Sequence, residues 1–258
     1  MSVILKSKAE IEAMRESGRV VGTILARLRE AAKPGVTTLE LDELAAALIE
    51  EHGVKSAFKG YVQGRGRPFP GVICASVNEE IVHGIPTAKR VLRSGDIIGI
   101  DFGVVKDGWY GDSAITIPIG EVSEEARLLI ERTKRSMELG IEQAVVGNRI
   151  HDIGAAIQDY AESFGYGVTR DFVGHGVGRR MHEEPQVPNY GPGGRGMRIK
   201  VGMVLAIEPM INLGTWEADI LDDGWTVVTA DRKLSAHFEH TIAVTEDGPV
   251  ILTLPDGE

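Results

Sequence analysis

Four carboxylates stand where short apolar runs end or begin. Asp101 closes "GDIIGID" (95–101) and Glu208 closes "GMVLAIE" (202–208), each a glycine, a variable position, four apolar or small residues and then an acid. Asp112 heads "DSAITI" and Glu239 heads "EHTIAV". An ionised carboxylate beside an apolar strand is costly to bury unless it is paired, hydrogen-bonded or bound to a metal. Four that converge would repel one another, so one or two divalent cations are the simplest compensation. Taken singly, each acid could equally be an independent turn or edge residue; the repeated spacing weighs against that. Histidines in glycine-flanked settings stand nearby, His83 in "HGIP" (83–86) and His175 and His182 in "VGHGVGRRMHEEP" (173–185). Imidazole beside carboxylates suits Zn, Mn, Fe or Co, whereas a pure oxygen shell suits Mg or Ca. From spacing alone, His175 and His182 could be ligands of one metal, an acid/base pair or polar loop residues. Arg179, Arg180, Glu183 and Glu184 around them read as a solvated loop.

The elements that must position these residues occur twice. In "SKAEIEAMRESGRVVGTILARLREAA" (7–32), Ile11, Met14, Val21, Ile24, Leu25 and Leu28 recur at helical steps behind a Ser7-x-x-Glu10 capping box, which predicts an amphipathic helix. A second helix is expected from Thr37 or Thr38 to Gly53. Strands are expected at "VICASV", "DIIGIDFGVV" and "SAITIPI", where β-branched residues alternate with glycine and proline. After Gly120 the order returns, with helices in "SEEARLLIERTKRSMELGIEQAVVG" (123–147) and "NRIHDIGAAIQDYAESFG" (148–165), then strands. The shorter helix is framed by glycines at the same spacing in both halves, Gly35 to Gly53 and Gly147 to Gly165, and "HGIP" and "HGVG" echo each other more weakly. The expectation is one catalytic domain over 1–258, built of halves at about 7–120 and 121–253 related by a pseudo-two-fold axis, with helices on one side of the sheet.

Composition excludes other classes. With 28 basic and 38 acidic residues the formal charge is -10, so specific nucleic-acid binding is disfavoured. The single cysteine, Cys74, rules out an internal disulfide or a multi-cysteine zinc site and suits a reducing cytoplasm. The N-terminal "MSVILKSKAEIEAMRESG" has too short an apolar run for a signal peptide, and no segment reads as a membrane span. A cytoplasmic protein is expected. No His-Glu-x-x-His pair and no Gly-x-Ser-x-Gly elbow occur, and "GRGRPFPG" lacks the lysine of a phosphate loop. Cys74, with no charged neighbour in sequence, reads as strand packing and not as a nucleophile.

Five stretches in order, "SVNEEIVHGIP", "IDFGVVKDGWYGDSA", "GHGVGRRMHEEPQVPN", "VLAIEPM" and "WTVVTADRKLSAHFEHT", resemble the type I methionine aminopeptidases over nearly the whole chain. The resemblance implies an α+β pita-bread fold, two helix-helix-strand halves whose curved antiparallel sheet is covered by helices. It implies a dinuclear divalent metal site of Co, Mn, Fe, Zn or Ni, with Asp101, Asp112, His175, Glu208 and Glu239 as ligands and Asp112 and Glu239 bridging. His83 and His182 fall on non-ligand histidines that contact substrate. The implied reaction is removal of the initiator methionine from nascent polypeptides or peptides, with a small second residue preferred. Glu208 is then the base for the attacking water, His182 the donor to the developing oxyanion, and His83 the contact to the scissile amide nitrogen. Tyr61, Phe69, Cys74, Met181 and Trp225 are placed around a methionine pocket, with plain packing the other reading for Cys74 and for the two loop aromatics. Two departures from the family pattern are a longer 62–68 segment and Met181 where an aromatic is frequent. Asn78 and Ser235 match a monovalent-cation loop in some relatives.

A monomer is expected, without membrane contact. Transient ribosome contact would need local basic patches such as Arg65-Arg67 or Arg179-Arg180. Met1-Ser2 makes the chain a candidate for its own activity. Within the same fold, another aminopeptidase or an Xaa-Pro dipeptidase is the competing expectation. A non-catalytic binding protein, also possible on this fold, would be expected to have lost ligands, and all five are present.

Overall fold

The computed structural model describes residues 3–62 and 66–255. The Met1-Ser2 expectation and Arg65 therefore lie outside the described residues, as does part of the 62–68 segment.

Among the described residues four helices form, the first two where the capping signals put them. Helix α1 spans Lys8–Ala31, with Ser7 and Glu10 capping each other reciprocally. Helix α2 spans Thr38–Glu51; Thr37 is its cap, while the Thr38 hydroxyl donates instead to the Thr87 carbonyl. Helix α3, Glu124–Glu142, starts from Ser123 but stops short of the expected Gly147. There the Asn148 side-chain amide donates to the Gln143 carbonyl, satisfying a helix-end acceptor and turning the chain. Helix α4 is Ile150–Glu162, its first turn tied by the Arg149 N–H donating to the Asp152 carboxylate. The framing glycines Gly35, Gly53, Gly147 and Gly165 all have positive φ (95°, 64°, 104° and 77°), as do Gly95 and Gly202 at the head of the two acid-bearing segments (101° and 87°). Each repeated glycine thus marks a left-handed turn that other residues adopt only with strain.

The strands are β1 (Lys55–Ser56), β2 (Ile73–Val77), β3 (Glu80–Val82), β4 (Ile97–Lys106), β5 (Trp109–Pro118), β6 (Gly167–Val168), β7 (Gly174–Gly176) and β8 (Glu183–Val187). They continue with β9 (Val204–Ile207), β10 (Met210–Asn212), β11 (Ala218–Ile220), β12 (Val227–Thr229), β13 (Ser235–His237), β14 (Glu239–Thr245) and β15 (Gly248–Ile251). Among the described residues, a nine-stranded antiparallel sheet runs β1-β4-β5-β14-β9-β7-β8, with β2 on β4 and β15 on β14. Two three-stranded sheets, β13-β10-β6 and β11-β12-β3, accompany it. Strand β5 begins four residues before the expected Ser113, because Asp107-Gly108, both at positive φ, make a two-residue hairpin turn that pairs Lys106 with Trp109.

The main core places α1 side chains (Val21, Ile24, Leu28) against Ile98, Ile100, Phe102 and Val104 of β4 and Ile115 and Ile117 of β5. Side chains alternate across a strand, so Asp101 and Asp112 sit on the face opposite this core. Leu205 and Ile207 of β9 and Ile242 and Val244 of β14 join the same core, which puts Glu208 and Glu239 on that opposite face too. The sheet therefore carries helix-covered packing on one face and the acids on the other. No described helix is long and apolar enough to cross a membrane.

Candidate metal centre and the adjoining pocket

The pairing of β5 with β14, Glu239 opposite Ala114 and His240 opposite Ser113, brings the acids of the two segments together. Asp112, His175 and Glu239 each offer a ligand atom, all within 4.8 Å of one another. Glu208, one residue past β9, comes within 3.4 Å of His175 Nε2 through Oε1, and Asp112 Oδ2 lies 3.7 Å from the same nitrogen. Asp101 is held across the sheet from Cys74 and is felt electrostatically by Asp112, Glu208 and Glu239. His175 lies in strand β7 and not in a loop, which fixes its backbone on both sides.

The electrostatics are those of a site built for a cation. Burial, and then mutual repulsion, hold the Asp112, Glu208 and Glu239 carboxyls well above the usual carboxylate range; burial pushes Asp101 up to about 7. Burial and the neighbouring His182 drive His175 down to about 3, so its ring is neutral and supplies no compensating charge. Asp101 Oδ1, Asp112 Oδ1 and Glu239 Oε1 are buried without a hydrogen-bond partner. The Nδ1 of His175 lies 3.0 Å from the Gly176 carbonyl, to which it can only donate, leaving the Nε2 lone pair facing the acids. Orphaned carboxylate oxygens around a correctly presented imidazole lone pair fit divalent metal binding, and the mixed nitrogen and oxygen set suits a transition ion.

The acids floor a cavity of about 430 Å³ with an apolar cluster on one wall. Phe58, Tyr61, Phe69, Cys74, Met181 and Trp225 pack as one cluster there. Phe69 and Trp225 meet edge to face at 5.2 Å, and the indole N–H of Trp225 donates to the Arg67 carbonyl at 3.0 Å. The structure thus brings together all five residues expected at the pocket and adds Phe58. It also corrects the surroundings of Cys74: the residue lacks charged neighbours in sequence but faces Asp101 across β2 and β4. Burial, then Asp101 and Asp112, raise its thiol pKa well above the usual value, so it stays protonated and is no nucleophile.

His83 follows β3 at φ 60°, and its ring meets Phe172 and Trp225 edge to face at 5.4 and 5.9 Å. Burial, then His182, lower its pKa to about 4. A strained, neutral imidazole aimed into a pocket is a common functional arrangement. Both His-Gly pairs need their glycine for close backbone approach. A Cβ at Gly84 would fall 2.4 Å from the Ala75 carbonyl oxygen, and one at Gly176 2.4 Å from that of Glu184. His182 lies at the cavity rim, its ring 4.3 Å from His175 and its Nδ1 2.8 Å from the Tyr61 hydroxyl. His237, buried in β13 with Nε2 unpartnered and its pKa lowered to about 3 by burial, also lines the cavity. It was not singled out in sequence, although "SAHFEHT" contains it.

Arg179, Arg180 and Glu184 are exposed as expected, but the 178–184 segment is anchored at Glu183 and is not a freely solvated loop. Glu183 is buried in an ion pair with Lys6, and the Arg179 guanidinium lies 3.7 Å over the Trp109 ring while donating to the Asp107 carbonyl. Only Glu184 keeps the expected exposure among the two glutamates. Asn78 and Ser235 are adjacent, Ser235 N–H donating to the Asn78 carbonyl at 2.9 Å. Their side chains are hydrogen-bonded as well, Asn78 with Asp96 and Ile97, Ser235 with Asn212.

Comparison with known proteins agrees with this geometry. The model of metallopeptidase family M24 matches residues 12–246. A methionine aminopeptidase of Clostridium acetobutylicum is 53% identical over 252 residues, covering 98% of this chain and 99% of that one. Methionine aminopeptidase 1 of Bacillus subtilis is 49% identical, covering 97% and 99%. The crystal structure of methionine aminopeptidase from Thermotoga maritima superposes with a TM-score of 0.94 at 43% identity, covering 98% of this chain and all of that one. A prolidase from Pyrococcus horikoshii OT3 shares the fold at TM-score 0.78 and 22% identity, the match covering 65% of its length.

Proposed function

The chain belongs to metallopeptidase family M24, and we propose that it hydrolyses the peptide bond after an N-terminal methionine, with a small residue preferred next in the chain. The observation that carries this reading is a cavity in which a cluster of acids around neutral His175 adjoins an apolar slot. A flexible, polarizable thioether fits such a slot.

Asp101, Asp112, His175, Glu208 and Glu239 are the residues that would hold divalent metal, two ions in this reading. Bound there, the metal supplies Lewis acidity toward the scissile carbonyl and makes water acidic enough to be deprotonated near neutral pH. Glu208 takes the proton of the attacking water and passes it to the leaving amine. Its side chain is 13% exposed against 4% for Asp112, so it reaches the reacting groups while Asp112 stays sealed. The Tyr61 hydroxyl and His182 Nδ1 share a hydrogen bond; in the tautomer where the hydroxyl donates, neutral His182 carries its proton on Nε2 and donates it as a hydrogen bond to the developing oxyanion. His83 contacts the scissile amide nitrogen from the aromatic side of the pocket. Tyr61, Phe69, Cys74, Met181 and Trp225 enclose the methionine side chain. We read the chain as a single cytoplasmic, monomeric catalytic unit acting on nascent chains.

The test is a peptide panel with and without chelator. Cleavage of Met-Ala-Ser and not of Xaa-Pro dipeptides is expected; the reverse preference would replace this reading with that of a dipeptidase.

A further inference from the structure

Glu183 directly follows His182 and is buried. Its side chain and that of Lys6 are each 2% exposed, and Lys6 Nζ donates to Glu183 Oε2 at 2.7 Å across 177 residues of sequence. The other oxygen, Oε1, accepts the backbone N–H groups of Arg179 at 2.9 Å and Arg180 at 3.3 Å. One carboxylate thus closes the turn that presents Met181 and His182. A Cβ at Gly178 would lie 2.5 Å from Oε1, so a larger residue there would push this carboxylate off its partners. Lys6 is fixed in turn, its own N–H donating to the Gly202 carbonyl at 2.7 Å, at the head of the segment that ends in Glu208. Tyr110 N–H on the Gly178 carbonyl and Arg179 on Trp109 hold the other side of the turn.

We propose that Glu183 is a positioning residue for His182 and Met181, and that Lys6 is its charge compensator, so that the segment before α1 is a working part of the active site. This rests on the role given to His182 above. A buried ion pair is weak evidence for stability, because apolar residues of similar volume often replace one without loss. What apolar replacements cannot supply is an acceptor for two converging N–H groups. Without it the turn reopens to satisfy them elsewhere and His182 moves off its target. Displacements of about 1 Å in a catalytic group lower turnover by as much as about a hundredfold.

The experiment compares double variants with the parent protein loaded with the same divalent metal, following metal content, thermal unfolding, kcat and KM on Met-Ala-Ser. K6M/E183M is expected to fold and bind metal like the parent while kcat falls about tenfold or more and KM changes less than about threefold. K6M/E183Q keeps a carbonyl oxygen for the two N–H groups and is expected to recover kcat to within about threefold of the parent. Parental kcat in K6M/E183M, or no recovery in K6M/E183Q, would overturn the proposal. Should K6M/E183M fail to fold, K6E/E183K decides: it keeps a charge pair but sets an ammonium against the two N–H donors, so slowed turnover supports the proposal and parental turnover refutes it. H182A separates the two readings. If it turns over like the parent, the role of His182 itself falls; if it is slow while K6M/E183M is not, only the Lys6–Glu183 inference falls.

Discussion

The strand pair β4–β5 and the strand pair β9–β14 bring equivalent acids to one place by different means. Strands β4 and β5 have ten residues each, pair from end to end through a two-residue turn, and carry Asp101 and Asp112 inside the ladder. Strands β9 and β14 share only four pairs, His240 with Ile207 through Ala243 with Val204. Glu208 lies just beyond one end and Glu239 on the first residue of the other, and the chain between them makes β10 to β13, which bring Trp225 and His237 over the cavity. The first pair is a rigid clamp. The second leaves both acids outside its own four pairs, which in the proposed function lets Glu208 reach the reacting water and makes room for the inserted residues that line the cavity. In that reading a repeated unit is divided into holding and working parts.

Substitutions at the acids should break this comparison most strongly. Asp112→Asn removes a sealed ligand, and both bound metal and turnover are expected to be lost, as read by elemental analysis and peptide hydrolysis. Glu208→Gln should keep more metal than Asp112→Asn while turnover falls by about 10²–10⁴, the usual worth of a general base. Equal metal loss in the two variants would erase the distinction.

Next is Trp225→Ala, which opens the inserted wall of the pocket. The ratio kcat/KM for methionyl peptides is expected to fall about tenfold to a hundredfold with metal content unchanged. A parental ratio would remove Trp225 from the methionine pocket.

The metal-free protein should respond to pH through its clamp. Asp101 has its pKa raised to about 7, from an ordinary value of 3.8, so the folded state holds this proton longer than the unfolded chain. The linked stability is complete below the unfolded value and is lost as pH rises through about 7. Chelated protein is therefore expected to melt several degrees lower at pH 8 than at about pH 5.5, and added divalent metal should close the gap. A metal-free melting temperature that rises over this window would contradict the burial described for the acids.

The smallest effects concern the paired glycines. Both Gly95 and Gly202 have positive φ, but a Cβ at Gly95 meets nothing nearer than 4.0 Å whereas one at Gly202 would lie 2.7 Å from the Lys6 carbonyl oxygen. Gly95→Ala is expected to cost about 1 kcal/mol from backbone strain alone, and Gly202→Ala more. Denaturant melts of the two variants give the order.

The acids were legible because the segments that hold them are written twice, and a repeat turns four isolated carboxylates into a pattern; His175 was marked only by the weaker echo of "HGIP" in "HGVG", and its place among the ligands came from the family resemblance. The first two helices were legible through Ser7 and Thr37, whose caps are local, and the next two through the return of the same order after Gly120. What escaped depended on partners far along the chain. Glu183 looks solvated beside Glu184 because nothing local announces Lys6, and Cys74 looks uncharged in surroundings because Asp101 is its neighbour only across a strand pair. Phe58 and His237 enter the pocket from β1's end and from β13, elements too short to show a periodic signal. The end of α3 was overestimated because Val145 and Val146 continue an apolar pattern after the hydrogen bonding has turned at Gln143.

In the proposed function the acid cluster works by holding divalent metal against a methionine-sized pocket. Hydrolysis of Met-Ala-Ser, measured on protein stripped of metal and then titrated with a single divalent ion, tests it most directly. The prediction is no cleavage after stripping and recovery in step with metal bound at the cluster. Undiminished cleavage by protein shown to be metal-free would contradict it.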